Sequence, residues 1–521
     1  MPPLDPILDP FCSITNLVIG IGDNAVNQQV RVMSGAPLWL AMVALACILI
    51  LTHVIVALRD PANDMTKYKK WDLLKIPFLN AWVHKPWFPS MAQFIFSVFF
   101  LLIISAGLFG NPNRNVATVL TWTWWWALLI FLAAGAGTLF CAMCPWEAIS
   151  SRIKRLGLER KWPKWARNMY PAIVLFILLT WYELGHDITH SPAATALMGV
   201  IMLTMAVMTA ILFERRAFCR YVCLVGRITG VYSLFSPVEI RSRSAEICVE
   251  CSSKDCYRGN ETNTGCPTLL FPATLSENTH CTSCTECIRA CPHDNMTIQI
   301  RPLASDLFHK IRFQWDESIL AIVLLSLTTF HGLTMTPHWT TWNHALRAQT
   351  GFGPEVVFTA LMLIELGICG GAYLLSSIFS RFLARKTRIP TGRLFKAYAY
   401  SLIPVALFYH LAHNCMHLFM EGQQLIPLLS DPLGWGWDLF GTSEKNYRPL
   451  LGLPSIWIIQ MVMIVVGHLY GVVTADKISL KLFAQQKQRI LSLIPLLILM
   501  IIYSSVSIWL IAQPMLMKSG M

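Results

Sequence analysis

The sequence predicts an all-α membrane protein of about ten transmembrane helices, interrupted by an inserted α+β domain rich in cysteine. Three observations support this fold class. Apolar residues make up 55% of the 521 residues and charged residues only 13%. The mean hydropathy is +0.52, and eight of the sixteen cysteines fall between residues 248 and 291. Soluble domains carry about twice this share of charge, so a polytopic membrane protein is expected.

Ten apolar runs are long enough to cross the hydrocarbon core of a bilayer as helices, which takes about 20 residues each. They lie at 38–57, 91–109, 117–140, 170–190, 193–213, 317–336, 356–378, 397–418, 456–475 and 490–511. Five runs precede the cysteine-rich segment and five follow it. We therefore predict an N-terminal five-helix membrane domain (1–213), an inserted domain (214–312) and a C-terminal five-helix membrane domain (313–521).

The distribution of Lys and Arg predicts the orientation of these helices. The loops after the first, third, seventh and ninth runs hold most of the basic residues, for example Lys67 and Lys69 after the first and Arg152 and Lys161 after the third. Short loops with an excess of Lys and Arg face the cytoplasm. This places the inserted domain in the cytoplasm and both termini outside. Because the net charge of +12 is spread over these loops, it does not indicate a nucleic-acid partner.

The eight clustered cysteines have the spacing of iron–sulfur ligands. The run from Cys281 to Cys291 reads C-x2-C-x2-C-x3-C-P, which is the bacterial two-cluster ferredoxin motif, and its fourth cysteine binds the other cluster. Structural zinc also uses four cysteines but does not call for this run. By the crossing rule, two [4Fe–4S] clusters are predicted on a first thiol set and a second thiol set. The first set is Cys248, Cys251, Cys256 and Cys291, and the second is Cys266, Cys281, Cys284 and Cys287.

Two further cysteine pairs lie at the predicted inner ends of the third and fifth runs. Cys141 and Cys144 occur in FCAMCPW, and Cys219 and Cys223 occur in FCRYVC. Cys219 and Cys223 are four residues apart, so we expect them to share a helix face. The nearby arginines, which would lower the pKa of these thiols, are Arg215, Arg216 and Arg220. Such pairs can form redox-active disulfides, hold a metal or fill helix ends.

Together these motifs resemble the membrane polyferredoxins. That family includes the quinol dehydrogenase subunit of periplasmic nitrate reduction, the membrane part of the nitrous-oxide-reductase regulator, and a cytochrome oxidase assembly factor that reduces copper. Its members combine a cytoplasmic two-cluster ferredoxin with two C-x3-C-P motifs at helix ends. The resemblance covers about residues 90–312, where the first pair is C-x2-C-P and Leu224 replaces the second Pro. It implies electron transfer in a prokaryotic inner membrane, often with quinol.

Ionisable residues are also predicted inside the membrane, where they are costly and mark functional sites. At about 1.5 Å per residue, five of them lie at a similar depth, roughly 20–24 Å from the cytoplasmic helix ends. This polar layer consists of Glu183, His186, His331, His410 and His413. Glu183, His186 and His190 are spaced to line one face of the fourth helix. Their donor atoms would also suit a copper ion.

Three kinds of arrangement fit the polar layer. A quinone site needs a His or a carboxylate that accepts quinol protons in an apolar cleft. A haem b needs two imidazoles that face each other, and His410 or His413 with His331 or His468 would supply them. Hydrogen bonding between helices is the third, since single membrane histidines commonly serve that purpose. The sequence does not choose between quinone and haem.

We therefore predict an integral membrane electron-transfer protein that links two cytoplasmic [4Fe–4S] clusters to a quinone or a haem in the bilayer. The expected partners are the quinone pool and a protein redox partner, and quinol dehydrogenase is the corresponding enzyme activity. One alternative is an assembly factor that reduces a metal ion, such as copper, for a partner enzyme. Another is a redox sensor, although no signalling domain is recognisable. A transporter ranks last because no helix pair shows matching Gly/Pro interruptions.

Overall fold

The computed structural model describes most of the chain. The described ranges are 12–19, 26–57, 70–85, 87–153, 157–214, 216–310, 312–445 and 447–517. The basic residues Lys67, Lys69 and Arg215 and both chain ends lie outside these ranges.

Long helices form the membrane part of the described chain. Their bounds are α1 (Leu38–Ala57), α2 (Trp87–Phe109), α3 (Val116–Ala136), α4 (Tyr170–His186), α5 (Pro192–Leu212), α6 (Trp315–Thr334), α7 (Pro354–Leu383), α8 (Leu402–Glu421), α9 (Leu453–Leu482) and α10 (Gln486–Ala512). Each corresponds to one predicted run. Eight of them, all except α4 and α8, are long and apolar enough to cross a membrane within the ranges that the structure describes. This agrees with the predicted multi-pass architecture.

The two exceptions have local causes. Helix α4 has 17 residues, about the lower limit for a transmembrane helix. It ends before the predicted residue 190 because Asp187 adopts a left-handed conformation (φ 53°) and the proline at 192 starts α5. The run predicted as a single span at 397–418 is broken after a short helix at Thr391–Ala399. Helix α8 then carries His410 and Asn414 on its buried side, which lowers its hydropathy.

Shorter helices and two small sheets complete the described structure. The shorter helices are Pro77–His84, Leu139–Met143, Pro145–Ile153, Leu224–Tyr232, Ala245–Glu250, Asp255–Arg258, Glu286–Arg289, Ser305–His309, Pro337–Thr350, Thr391–Ala399 and Leu425–Ser430. The strands are β1 (Cys12–Ile19), β2 (Val26–Met33), β3 (Trp71–Asp72), β4 (Val238–Ser242), β5 (Met296–Ile300) and β6 (Met515–Met517). The sheets are antiparallel, with orders β1-β2-β6 and β3-β5-β4.

The second sheet joins the inserted domain to the N-terminal half of the chain. Strands β4 and β5 belong to the inserted domain, and β3, which follows α1, pairs with the outer edge of β5. Lys70 donates a 2.8 Å hydrogen bond to Glu239, and Arg243 donates a 2.9 Å bond to Asp72. Leu74 and Val83 pack in a small apolar core with residues of β4 and β5. The segment 70–84 therefore attaches the N-terminal half of the chain to the inserted domain.

A buried helix connects the inserted domain to the membrane helices. All nine residues of Leu224–Tyr232 are buried, and this connecting helix packs against α3, α4, α6 and α8 in the main core. At Gly230 the backbone of the inserted domain comes so close that a Cβ would lie 2.3 Å from the Thr279 carbonyl oxygen. Only glycine allows this approach. The contact fixes the segment that leads into Cys281 against the membrane part.

Candidate redox site

The thiols of the inserted domain influence one another electrostatically, and the grouping into two thiol sets stays a prediction. Burial raises the pKa of the Cys256 thiol to about 11, and the nearby thiols of Cys291, Cys248 and Cys251 add to the shift ahead of Cys266. These neighbours are the other members of the first thiol set.

The second thiol set is coupled in the same way. Burial raises the pKa of Cys287 well above its ordinary value, with contributions from Cys284, Cys281 and Cys266 ahead of Cys256. Cys256 and Cys287 are thus each influenced more by thiols of their own predicted set than by thiols of the other set.

Backbone and side-chain N–H groups point at several of these sulfur atoms. Asn295 donates from its backbone to Cys291 Sγ (3.4 Å) and from its side chain to Cys248 Sγ (3.2 Å), so it bridges two members of the first thiol set. Leu270 N donates to Cys266 Sγ at 3.3 Å. Such donors stabilise thiolates and tune the potentials of iron–sulfur clusters. The donor set therefore fits two clusters bound by four cysteines each.

In the described ranges, no three or more His, Cys, Asp or Glu side chains converge closely enough to hold one metal ion. A [4Fe–4S] cluster makes a different demand on its ligands. Each of its four thiolates binds a different iron atom, so the ligands surround the cluster rather than meet at a point.

The two remaining cysteine pairs come together in one place, which we call the four-thiol group: Cys141, Cys144, Cys219 and Cys223. Cys144 interacts electrostatically with Cys141 and Cys223. Cys219 interacts in the same way with Cys144 and Cys223, and Cys223 also interacts with Cys141. The predicted shared helix face is wrong. Cys219 lies in a π-helical turn at Phe218–Val222, and Cys223 lies beyond its end, as the N-cap of the connecting helix.

The predicted lowering of the thiol pKa values is also wrong. Burial raises the pKa of Cys223 to about 12. For Cys219, burial raises the pKa most, followed by the negative charge of Glu147, and Arg216 only partly opposes them. The sequence places arginines nearby but does not reveal that Arg216 is already ion-paired with Glu147.

Charged groups surround the four-thiol group. Glu147 accepts a 3.4 Å hydrogen bond from Cys219 Sγ and forms an ion pair with Arg216. Arg227 is 1% exposed and interacts electrostatically with Cys141, Cys223 and Cys219. Its Nη1 donates to His280 Nδ1 at 2.6 Å, while its Nε has no hydrogen-bond partner.

The four-thiol group lies beside the second thiol set. Thr138, which precedes Cys141, donates a 2.6 Å hydrogen bond to the carbonyl oxygen of Cys281 and lies 3.0 Å from Ser283 Oγ. Arg216 Nη1 donates to Thr282 Oγ1 at 3.4 Å. The chain segments that hold the two sets of thiols are thus in direct contact.

On its other side, the four-thiol group is linked to the polar layer. The connecting helix begins after Cys223 and ends at Tyr232, whose hydroxyl lies 2.5 Å from His410 Nδ1. His410 in turn interacts electrostatically with His331 and His413. One buried helix therefore spans the interval between the thiols and the histidines.

The structure brings together most of the predicted polar layer. The rings of His331 and His413, from α6 and α8, have centroids 4.6 Å apart, and His417 follows at 4.8 Å from His413. His417 Nδ1 lies 3.1 Å from a Glu421 carboxylate oxygen and also interacts with the charge of Glu183. Three histidines and Glu421 thus form a chain of contacts that is half-buried to buried, and Glu183 acts on it electrostatically.

Two of the other candidate histidines are placed elsewhere. His190 lies in a separate turn after the end of α4, where its Nδ1 is 2.7 Å from Asp187 Oδ1. The face predicted for Glu183, His186 and His190 does not form, because the left-handed Asp187 breaks the helix. His468 has both ring nitrogens 2.9 Å from hydroxyls, those of Thr52 and Ser504, as expected for a histidine that joins helices.

His186 borders a cavity of about 370 Å³ between the end of α4, the short helix Pro337–Thr350 and the start of α7. Its walls combine aromatic rings with polar groups. The main lining residues are Trp181, His186, Trp339, His344, Glu355 and Phe358. Phe330, next to His331 in the chain, packs against Trp339 and Phe358 with ring centroids 5.3 and 5.5 Å apart. One layer of aromatic rings therefore separates the cavity from the histidine cluster.

Sequence reasoning missed Glu147, Arg227 and Tyr232. Glu147 had a local signal, because it follows the Cys144-Pro145 dipeptide in the first turn of a helix. Tyr232 had none, since its partner His410 is 178 positions away in the chain. Arg227 occurs in a run of small and apolar residues, where its complete burial was not foreseeable.

Comparison with known proteins yields a partial similarity. No family model matches the chain, and no solved structure matches it. Part of the chain is similar to an Escherichia coli (strain K12) protein named "Putative electron transport protein YccM". The two are 35% identical over 186 residues, which cover 29% of this chain and 48% of the relative. This chain thus spans about half the length of that relative.

Proposed function

We propose that the protein is an integral membrane oxidoreductase that exchanges electrons between two [4Fe–4S] clusters and a quinol bound in the membrane part. The observation that carries this proposal is the arrangement of the inserted domain's eight cysteines. Their spacing is that of the ferredoxin motif, the thiols of Cys256 and Cys287 are influenced most by thiols of their own predicted sets, and N–H donors point at Cys248, Cys266 and Cys291. When bound, such clusters accept and release single electrons.

Two further findings support the same class of function. The name of the partly similar Escherichia coli protein refers to electron transport. Eight helices in the described ranges can cross a membrane by length and composition. These findings support membrane electron transport, and the narrower polyferredoxin resemblance remains a prediction, as does the cytoplasmic position of the inserted domain.

The His331–His413 pair and His468 are poorly arranged to bind a haem. Two imidazoles on one haem iron lie on opposite faces of the macrocycle, with metal–nitrogen bonds of about 2 Å each. The rings of His331 and His413 are in edge contact, with centroids 4.6 Å apart, so no macrocycle fits between them. His468 offers no free nitrogen because Thr52 and Ser504 occupy both.

We place the quinol headgroup in the cavity beside His186. Its volume of about 370 Å³ falls in the usual range for small-molecule sites, and Trp181, Trp339 and Phe358 offer flat aromatic faces to a planar ring. Oxidation of a quinol to the quinone releases two electrons and two protons. His186, His344 and Glu355, which line the cavity, can take up or return those protons.

The test is electron exchange in anaerobically purified protein with a soluble quinol analogue and its quinone. We expect the quinol to reduce the clusters, or reduced clusters to be oxidised by the quinone. His186→Ala should slow this exchange at unchanged iron content. His338→Ala is the matched control, because His338 contacts Gln513 and Trp509 outside the cavity.

The same measurement separates the alternatives. Iron-free protein that contains zinc would refute the cluster assignment. Iron-loaded protein that exchanges no electrons with quinol or quinone would refute the membrane site. Production of cuprous ion from cupric ion without any dependence on quinone would favour the assembly-factor alternative.

A further inference from the structure

We propose that the four-thiol group holds a third iron–sulfur cluster, which relays electrons between the second thiol set and the polar layer. This inference rests on the proposed function and adds a site to it. Its starting point is that the two cysteine pairs, which lie 75 or more residues apart in the chain, form one group in which Cys223 is buried and the other three cysteines are half-buried. Each of the four thiols interacts electrostatically with at least two of the others.

Backbone N–H groups point at these sulfur atoms, as they do at the sulfur atoms of the inserted domain. Cys223 Sγ accepts a 3.3 Å hydrogen bond from Gly226 N, and the backbone N–H groups of Glu147 and Trp146 act electrostatically to favour the thiolate form of Cys144. Leu270 N donates to Cys266 Sγ at the same distance, 3.3 Å. N–H donors of this kind favour the thiolate form, which is the form that binds metal.

Both donor sets come from helix N-termini. Cys144 directly precedes the nine-residue helix Pro145–Ile153, and Cys223 directly precedes the nine-residue connecting helix. The positive ends of the two helix dipoles thus meet at the four-thiol group and stabilise negative charge there. Pro145 follows Cys144 just as Pro267 and Pro292 follow the remote cysteines of the two predicted clusters.

An independent observation, the buried cation Arg227, points to a bound anionic group. Its side chain is 1% exposed, and its Nε has no hydrogen-bond partner. The groups whose negative charge would act on it most are the thiols of Cys141, Cys223 and Cys219, followed by the carboxylate of Glu317. A buried charge is costly unless it is paired. A cluster bound by four thiolates has a net negative charge and would balance this guanidinium.

The position of the group suits a one-electron relay. Thr138 and Arg216 tie it to the backbone and side chains around Cys281. On the other side, the connecting helix of nine residues spans about 14 Å between Cys223 and Tyr232, which contacts His410. In each transfer the relay gains one electron from one neighbour and loses one to the other. No bond is formed or broken, and no proton is required.

The test is the iron content and the electron paramagnetic resonance spectrum of the anaerobically purified full-length protein. Three clusters correspond to about twelve irons per chain, and two clusters correspond to about eight. We expect about twelve in the wild type and about eight in Cys144→Ser/Cys223→Ser, with the signals of the two inserted-domain clusters retained. Cys47→Ser, which changes a lone cysteine of α1, should keep about twelve.

The wild-type count alone decides the case if the double variant fails to fold. About eight irons in the wild type would overturn the proposal, whether the four cysteines are then found as free thiols or as disulfides by alkylation. One zinc or copper ion per chain that disappears in the double variant would also overturn it. In each of these outcomes, quinol-linked reduction of two clusters would leave the proposed function standing, whereas protein without any iron would refute both.

Discussion

Gly230→Ala should weaken the attachment of the inserted domain to the membrane part. The added Cβ would lie 2.3 Å from the Thr279 carbonyl oxygen, whereas ordinary contacts begin near 3.4 Å. The connecting helix and the 279 segment must therefore separate by about 1 Å. Overpacking of this kind costs about 1–3 kcal/mol, and the better helix propensity of alanine returns about 0.5–1 kcal/mol. We expect a net loss of about 1 kcal/mol or more.

The assay is the temperature at which the visible absorbance of the clusters is lost in detergent, together with the rate of electron exchange with quinone. A loss of 1 kcal/mol lowers a midpoint by about 2–4 °C in domains of 150–250 residues. The exchange should slow as well, because Thr279 lies two positions before Cys281. Gly135→Ala is the control, since no heavy atom lies within 4 Å of its added Cβ. A Gly230→Ala protein with wild-type midpoint and wild-type exchange would refute this account of the interface.

Three further perturbations test other parts of the structure. Tyr232→Phe removes the hydroxyl at His410 Nδ1 and leaves a buried polar atom unpaired, which costs about 1–3 kcal/mol. Electron exchange with quinone should slow at constant iron content. An unchanged rate would contradict the proposed connection between Tyr232 and His410. Cys287→Ser should remove about four irons, as measured by iron analysis. Although burial opposes it, hydrogen bonds such as that from Arg243 hold the pKa of Asp72 below its ordinary value. Wild-type stability should therefore fall as the pH drops through that lowered pKa, and Asp72→Asn should flatten this part of a denaturation profile.

The sequence predicted those features that depend on short spacings. The C-x2-C-x2-C-x3-C-P run specifies four ligands within eleven residues, and the crossing rule then predicts both thiol sets. The apolar runs predicted ten helices at nearly the observed positions because the length of a span is set by the thickness of the bilayer. Errors occurred where one residue ended a helix, as the left-handed Asp187 does for α4.

The sequence could not predict features that depend on contacts between distant segments. Thr138 and Cys281 are 143 positions apart, and Tyr232 and His410 are 178 apart. Nothing in either local sequence signals such a contact. The predicted lowering of the thiol pKa values in the four-thiol group was wrong for a related reason. Nearby arginines suggested a lowered pKa, but the pKa depends on burial and on whether Arg216 is already neutralised by Glu147.

The way in which the inserted domain is attached supports electron transfer within a fixed arrangement, rather than by a mobile domain that docks on the membrane part. Segment 70–84, from the N-terminal half, pairs along β5, the end of α3 holds Cys281 through Thr138, and the connecting helix meets Thr279 at Gly230. These three attachments come from different parts of the chain and surround the second thiol set. A domain on a flexible tether would sample many distances to the membrane helices. Here packed backbone fixes that distance, so under the proposed function each electron transfer would take place over one constant interval.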